Sequence, residues 1–258
     1  MNDDKIESDL TVSIKVEDIH KNIGSQSVLK GVNLEIFSGE TIVLIGESGG
    51  GKSVILKHIT GLMRPDTGRV IINGTDICQL KENDLATIRK KIGVLFQNGA
   101  LFDSMSVGQN VAFPLRERGE KNYSILVEKV TESLKLVGLE NHIDKMPSAL
   151  SGGMRKRVAL ARAMIARPDI ILYDEPTAGL DPVSTGSIDS LIMEMQKNYG
   201  VTSIVVTHDM KSAKTIADRI AFLRDGRVYF CGKPEELGNS DDPIIKKFVT
   251  GNHLQEIW

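Results

Sequence analysis

A glycine-rich segment, Gly46–Ser53, follows directly on the apolar run Thr41–Ile45. A continuous apolar run of this kind is typical of a central parallel strand that is covered on both faces. The glycine-rich segment fits the pattern G-x-x-x-x-G-K-[ST], in which backbone N–H groups and the positive end of the following helix surround phosphates. From Ser53 to Ile59 the apolar spacing is helical. The sequence therefore predicts a strand, a phosphate-binding loop and a helix in this order, which restricts the chain to an α/β fold.

Two side chains of this segment would act on a bound nucleotide. In a loop of this pattern the Lys52 ammonium reaches the β- and γ-phosphates, and the Ser53 hydroxyl ligates Mg²⁺. The alternative, an ordinary glycine-rich turn, does not account for the strand before the loop and the helix after it. The residues predicted to bind the nucleotide here are Gly46, Glu47, Ser48, Gly49, Gly50, Gly51, Lys52 and Ser53.

The rest of the chain alternates between strand and helix patterns. Alternating apolar and polar residues predict half-buried strands at Leu10–Val16 and Val32–Ile36. The stretch from about residue 98 to residue 165 has helical spacing instead. Further strands are predicted at Arg69–Ile72, Ile92–Phe96, Ile170–Tyr173, Ser203–Val206, Ile220–Leu223 and Val228–Phe230. This order predicts one α/β core into which a helical segment is inserted.

Four polar residues follow predicted strands and are expected at the carboxyl edge of the sheet, where ligands of α/β proteins bind. Asp174 and Glu175 end the strand Ile170–Tyr173. There Asp174 would hold Mg²⁺, and Glu175 would polarise the attacking water as a general base. Gln97 ends another strand and would lie near the Mg²⁺ and that water. His208 follows a third strand, in a position that suits a hydrogen bond to the γ-phosphate.

A second anion-binding surface is predicted at Ser151, Gly152 and Gly153, which precede a helix expected over Met154–Ala166. The serine hydroxyl, the exposed N–H groups and the positive helix end would all face an anion. The basic run Arg155–Arg157 in this helix is open to two interpretations, a nucleic-acid patch or a solvated helix face. The nearly neutral charge of the chain favours the solvated face.

Composition excludes some functions and bounds others. The formal net charge of the 258 residues is −2, which gives no field that attracts nucleic acid. No apolar run approaches the roughly 20 residues that span a bilayer. The acidic start, Met1–Asp4, lacks the basic and apolar regions of a signal peptide. Any membrane role is therefore expected to come through a partner.

The segments occur in the order found in the ATP-binding cassette (ABC) ATPases, which this chain resembles over about residues 10–235. The matching segments are the Walker A loop Gly46–Ser53, the Q-loop residue Gln97, the signature Leu150–Met154, the Walker B end Tyr173–Glu175, the D-loop Ala178–Asp181 and the switch residue His208. The resemblance implies a P-loop NTPase of ABC type. Such a fold has a mainly parallel central sheet, an antiparallel β subdomain and an inserted helical subdomain.

The resemblance also implies an ATPase that uses ATP and Mg²⁺. Its catalytic residues would be Lys52, Gln97, Glu175 and His208, and its metal site would comprise Ser53, Gln97 and Asp174. In this family, the signature of one copy caps the ATP that is bound to another. Ser151–Gly153 and Asp181 are then expected at the interface of a head-to-tail homodimer.

Two residues depart from the common family pattern. Many members place an aromatic ring against adenine, whereas this chain has Ile23 within Lys21–Gly24. Ile23 packs through dispersion but cannot stack, so the resemblance implies a weaker contact with the base. Met154 stands where many members carry glutamine. This change removes an amide from the expected interface and leaves Ser151 and the glycines in place.

The amino-acid sequence around three motifs resembles that of the Mla/Mkl type of ATPase. The segments are Gly51–Lys57, Phe96–Ser104 and Leu150–Met154. This resemblance implies phospholipid transport with an integral-membrane permease and an MCE-type lipid-binding protein, on the cytoplasmic face of the bacterial membrane. The stretch from Gln97 to Leu115 would then be the docking surface for the permease.

The sequence leaves two other functions open, and it also suggests domain limits. One is an ATPase that serves another cargo, such as amino acids or metal ions, and the other is a non-transport ABC protein that acts on DNA or the ribosome. The absence of a second cassette and of a long coiled-coil insertion disfavours the latter. We expect a polar tail over residues 1–9, an ATPase domain over 10–235 with its helical part at about 98–165, and an extension over 236–258.

Overall fold

A computed structural model describes residues 11–250 of the protein. The strands are β1 (Val12–Ile23), β2 (Gln26–Phe37), β3 (Thr41–Gly46), β4 (Thr67–Ile72), β5 (Thr75–Asp76), β6 (Ile92–Leu95), β7 (Ile170–Asp174), β8 (Thr202–Val206), β9 (Arg219–Arg224) and β10 (Arg227–Gly232). The helices are α1 (Lys52–Ile59), α2 (Glu82–Arg89), α3 (Val107–Glu117), α4 (Tyr123–Leu136), α5 (Gly152–Met164), α6 (Pro182–Tyr199), α7 (Met210–Ile216), α8 (Pro234–Gly238) and α9 (Pro243–Thr250). Short 3₁₀ turns occur at Ile77–Gln79, Glu140–His142 and Pro147–Ala149.

The strands form two sheets. The central sheet has six strands in the order β10-β9-β3-β8-β7-β6, and the smaller sheet has four in the order β2-β1-β4-β5. Every neighbouring pair from β9 to β6 is parallel, while β10 pairs antiparallel with β9. The smaller sheet is antiparallel throughout. The predicted mainly parallel sheet is therefore confirmed.

Two apolar cores lie on the two faces of the central sheet. One face packs against α3, α4 and α5, so that Val43 and Tyr173 share a core with Val111, Leu134 and Val158. The other face packs against α1 and the antiparallel sheet. Strand β3 is buried at every position because both faces are covered. The phosphate loop consequently starts from a fully buried strand.

Three local features differ from the sequence patterns. Strand β1 continues to Ile23, beyond the predicted Val16, because register shifts and the positive φ of Asp18 interrupt its alternation without ending the pairing. Residues 98–106 are not helical, and the first inserted helix begins at Val107. Helix α5 begins at Gly152, since Ser151 already caps it.

The two ends of the chain are only partly covered. The predicted tail over residues 1–9 and the last eight residues of the predicted extension, including Trp258, lie outside the described residues. The preceding residues form α8 and α9, and Phe248 of α9 packs against Phe222 with ring centroids 4.5 Å apart. Among the helices of residues 11–250, none combines the length and the apolar character that a bilayer span requires.

Candidate nucleotide-binding and hydrolysis site

The phosphate loop follows β3 and requires glycine at both ends. Gly46 has φ +149°, and a Cβ there would lie 2.3 Å from the Leu223 carbonyl oxygen. Gly51 is the N-cap of α1 with φ +96°, and a Cβ there would lie 2.5 Å from the Leu29 side chain. Only glycine fits at these two positions. The glycines thus allow the loop to turn tightly from the sheet into the helix.

Lys52, at the start of α1, folds back over this loop. Its ammonium donates to the carbonyl oxygens of Gly46 (2.8 Å) and Glu47 (2.9 Å). The residue is 5% exposed. Burial lowers the pKa of Lys52, while the negative charges of Glu175, Asp174 and Glu47 oppose that shift. A lysine at this position of a phosphate loop supplies a positive charge that can bind the phosphates of a nucleotide.

Ser53 and Asp174 bring the helix and the Walker B strand together. The Ser53 hydroxyl donates to Asp174 Oδ1 at 3.2 Å. Asp174 is the last residue of β7, whose neighbour β8 separates it from β3. A hydroxyl and a carboxylate at this distance are oxygen ligands of the kind that Mg²⁺ prefers.

Glu175 directly follows β7 and is held in an unusual backbone conformation. Its φ is +50°, in the left-handed region that is uncommon for a residue with a side chain. Its N–H donates to the Val206 carbonyl at 2.9 Å. Its carboxylate lies 3.1 Å from His208 Nε2 and accepts from the His208 backbone N–H at 3.4 Å. With the backbone in this left-handed conformation, the Glu175 carboxylate lies against His208.

The Glu175 carboxyl is 14% exposed. Burial raises its pKa, and Asp174 raises it further; the charges of His208 and Lys52 and the His208 N–H act in the opposite direction. A raised pKa makes the carboxylate a better proton acceptor. Its surroundings therefore suit a general base.

One cavity of about 690 Å³ collects most of the predicted residues. The predicted residues that line it are Ser48, Gly49, Gly50, Gly51, Lys52, Ser53, Gln97, Asp174, Glu175 and His208. Gly46 and Glu47 contact the Lys52 ammonium through their carbonyl oxygens. Ile23, Ser151, Gly152, Gly153 and Asp181 do not line this cavity.

The signature residues lie instead against the D-loop and the first turn of α6 of the same chain, where a Cβ on Gly152 would lie 3.5 Å from the Leu180 side chain. Ser151 Oγ accepts from the Met154 N–H at 3.2 Å as the N-cap of α5. A Cβ on Gly153 would lie 3.1 Å from Ser184 Oγ. Asp181 caps α6 by accepting from the N–H groups of Val183 and Ser184, each at 3.0 Å. Within one chain Asp181 thus has a structural role.

Ile23 ends β1 beside the hairpin turn and is 47% exposed. The hairpin approaches the phosphate loop through Val28 and Leu29, which contact the position of Gly51. Ile23 is therefore on the same hairpin as residues that touch the loop. Its predicted packing on adenine stays a prediction.

The interpretation of Arg155–Arg157 as a solvated helix face is wrong for Lys156. This lysine is 5% exposed, and its ammonium donates to the Glu175 carbonyl oxygen at 2.8 Å. Thr207 was also missed: it lines the cavity, and its hydroxyl accepts from the Asp209 N–H at 3.0 Å. Its position between a buried strand and His208 places it at the carboxyl edge of the sheet, so the sequence could have predicted it as a site residue. No local pattern distinguished Lys156 from the arginines beside it.

Known proteins resemble this chain over most of its length. The family model "ABC transporter" matches residues 29–178. The "Probable ribonucleotide transport ATP-binding protein mkl" of Mycobacterium leprae is 44% identical over 95% of this chain and 71% of its own. The "Intermembrane phospholipid transport system ATP-binding protein MlaF" of Haemophilus influenzae is 40% identical over 92% of this chain and 90% of its own.

Solved structures share the fold. A dimeric ATP-binding cassette in a post-hydrolysis state, bound to ADP and phosphate, superimposes with a TM-score of 0.79 and 36% identity. The superposition covers 86% of this chain and 98% of that one. The cbiO1 protein of Clostridium perfringens, part of an ABC transporter complex, gives a TM-score of 0.83 at 33% identity over 92% of this chain and 94% of its own.

Proposed function

Because the chain belongs to the ABC transporter family and is an ATPase of the Mla/Mkl type, we propose that two copies of it drive a membrane permease by binding and hydrolysing ATP. One observation supports this proposal most directly: the catalytic residues of the chain lie in one cavity, and its signature motif lies outside that cavity. Lys52, Ser53, Asp174, Glu175 and His208 meet in one cavity, whereas the signature of the same chain lies outside it.

The cavity fits ATP together with Mg²⁺. Lys52 would exchange its two loop carbonyls for phosphate oxygens. Ser53 Oγ and Asp174 Oδ1, 3.2 Å apart, are the proposed metal ligands, with Gln97 beside them. A Mg²⁺ ion held by these residues would neutralise charge on the phosphates. The helix α1 adds its positive end to the same region.

The hydrolytic step is assigned to Glu175. The Glu175 carboxylate accepts the proton of the attacking water, since it lines the cavity and burial raises its pKa. His208 holds this carboxylate in place and donates toward the γ-phosphate. The attack yields ADP and phosphate.

A second copy is proposed to complete each site. The N-terminus of α5 presents Ser151 and neighbouring N–H groups, and Ser151 is exposed. A helix N-terminus of this kind stabilises an anion. In a head-to-tail dimer, it would cap the ATP that is bound to the partner copy. ATP closes the dimer, and hydrolysis reopens it.

The permease is proposed to dock at the edge between β6 and α3. Phe96 and Phe102 are 45% and 41% exposed there, and they line an apolar groove of about 400 Å³ with Phe113 and Pro114. Gln97 directly follows Phe96, so the groove adjoins the ATP cavity. Movement at the metal site would thereby reach the permease.

We propose phospholipid as the cargo and an MCE-type lipid-binding protein as a further partner, with the ATPase peripheral on the inner face of the membrane. The MlaF relative is named for phospholipid transport, whereas the Mkl relative is named for ribonucleotide transport. The proposal follows the name of the MlaF relative and the similarity of the motif sequences to the Mla/Mkl type. The choice of cargo rests on similarity to these relatives, because none of the roles proposed for residues 11–250 involves contact with the cargo.

Purification from native membranes tests the partner and the cargo together. We expect the tagged chain to co-purify with a permease and an MCE protein, and phospholipid to stimulate the ATPase of that complex. Phe102→Asp should abolish this co-purification and leave the basal ATPase intact, because the ring lies in the groove and outside the ATP cavity. Stimulation by ribonucleotides, amino acids or metal ions instead would overturn the lipid cargo. Salt-sensitive recovery with nucleic acid and no permease would overturn the transport role.

Ile23→Tyr tests the base contact. If Ile23 packs on adenine, an aromatic ring there should tighten ATP binding several-fold, since base–aromatic stacking is worth about 1–3 kcal/mol. Binding of ATP and GTP to the folded protein by calorimetry measures the change. Ile23→Val serves as the matched control, because it keeps an aliphatic contact of similar shape. Unchanged affinities for both nucleotides in the tyrosine variant would remove Ile23 from the base site.

A further inference from the structure

The signature helix makes a direct contact with the residue proposed as the catalytic base. Lys156, on α5, reaches the Glu175 carbonyl oxygen with its ammonium at 2.8 Å. The residue is 5% exposed. Burying a lysine ammonium is costly unless a partner stabilises it. The partner that stabilises the Lys156 ammonium is the backbone carbonyl of Glu175, so the buried charge lies beside the proposed active site.

Glu175 is the kind of residue that requires such a partner. Its left-handed backbone, with φ +50°, is a strained conformation that persists only where its surroundings hold it. Strand β8 holds the N–H side through the Val206 carbonyl. Lys156 holds the carbonyl side, where the Ala178 N–H also donates to the Glu175 carbonyl oxygen at 3.3 Å. The peptide groups on both sides of the Glu175 Cα are therefore fixed from outside β7, and they direct the carboxylate toward His208.

We propose that Lys156 is a positioning residue for Glu175 of its own chain. It acts through the backbone and does not touch the nucleotide. The same helix begins at the signature, which would cap the ATP of the partner copy. Lys156 therefore joins the base of one composite site to the anion-binding end that serves the other. This inference rests on the proposed base role of Glu175 and on the two-copy arrangement.

Three single variants give the first test. Lys156→Met removes the donor but keeps an apolar stem of similar length. We expect its kcat to fall about 10-fold or more, with little change in the KM for ATP, because small displacements of a reacting group cost about that much. Lys156→Gln restores a donor without charge and should recover part of the loss. Arg157→Met is the matched control, since Arg157 donates to the Val137 carbonyl in the helical lobe at 3.1 Å.

These variants separate positioning from general stability. Arg157→Met should lower the melting temperature and leave the kcat per folded molecule near the parental value. Equal kcat losses in the Met and Gln variants of Lys156 would overturn the donor role. A rise in KM without a fall in kcat would also overturn it, since that pattern indicates lost nucleotide binding.

Mixed dimers decide which copy Lys156 serves. The parent chain is mixed with excess Glu175→Gln chain, and the first turnover of the limiting chain is measured. Lys156→Met in the limiting chain should slow this turnover about 10-fold. The same substitution in the excess, inactive chain should leave it nearly unchanged. Loss only when the excess chain carries the substitution, or equal loss in both mixtures, would show that Lys156 acts through the signature and would overturn the proposal.

The proposed function can fail separately in this design. If the Glu175→Gln chain alone hydrolyses ATP at the parental rate, Glu175 is not the base, whatever Lys156 does. If the excess chain has no influence on the limiting chain, even when its signature is altered, the two-copy site is wrong. Neither result depends on a substitution at Lys156.

Discussion

Glu175→Gln is expected to reduce the turnover number about 10²- to 10⁴-fold, because it removes a general base. ATP binding should persist, since Lys52, Ser53 and the phosphate loop are unchanged. In the parent, the Glu175 carboxylate accepts a hydrogen bond from the His208 backbone N–H at 3.4 Å, and the amide oxygen of glutamine can still accept it. Phosphate release measures turnover, and calorimetry at equilibrium measures binding. Size-exclusion chromatography with ATP should then show a persistent dimer.

The stability of this variant provides an independent check. Burial raises the pKa of the Glu175 carboxyl above its value in the unfolded chain. At pH values above the folded pKa, the ionised carboxylate therefore opposes folding, and a neutral amide removes that cost. The melting temperature of Glu175→Gln at neutral pH should be equal to or above that of the parent. Glu128→Gln, at an exposed position of α4, is the control for loss of charge alone.

Parental turnover in Glu175→Gln would exclude Glu175 as the base. A lost turnover together with a lowered melting temperature and lost ATP binding would instead indicate that the substitution damages the fold. The prediction therefore requires all three measurements, because only a selective loss of turnover assigns the chemical step to this carboxylate.

Local sequence patterns predicted the phosphate loop because each of its parts has a local cause. The apolar run Thr41–Ile45 is buried on both faces as a continuous run requires, and Gly46 and Gly51 occupy backbone conformations that a side chain would block. The carboxyl edge was predictable for the same reason. Parallel strands place their following residues at one edge, and Gln97, Asp174, Glu175 and His208 all line the cavity there.

Lys156 was not predictable, because its surroundings are tertiary. A basic tripeptide on a helix is ordinarily solvated, and nothing within Arg155–Arg157 indicates which side chain turns inward. The contact depends on how α5 packs beside the end of β7. Asp181 differs, since Asp-Pro at a helix start is a recognisable N-cap signal. The family resemblance implies an interface role for Asp181, whereas the local sequence predicts the capping role.

Ser151→Asp is expected to abolish most ATPase activity without weakening the fold. Asp is as good an N-cap as serine, and a negative charge at a helix N-terminus is favourable, so α5 should remain capped. Toward the γ-phosphate of ATP on a partner copy, however, the new carboxylate would be repelled. Like charges at an interface cost several kcal/mol, which corresponds to roughly 10²-fold or more in rate. Ser151→Asn caps without charge and should retain much more activity.

Mixing the two inactive chains gives the sharpest form of this prediction. In a head-to-tail dimer of a Ser151→Asp chain with a Glu175→Gln chain, one composite site receives the intact base of the first and the intact signature of the second. The other site receives both substitutions. A fast first turnover should therefore reappear in the mixture, although each chain alone hydrolyses ATP far more slowly than the parent. If each chain instead completed its own site, both sites of every dimer would be defective, and mixing would restore nothing.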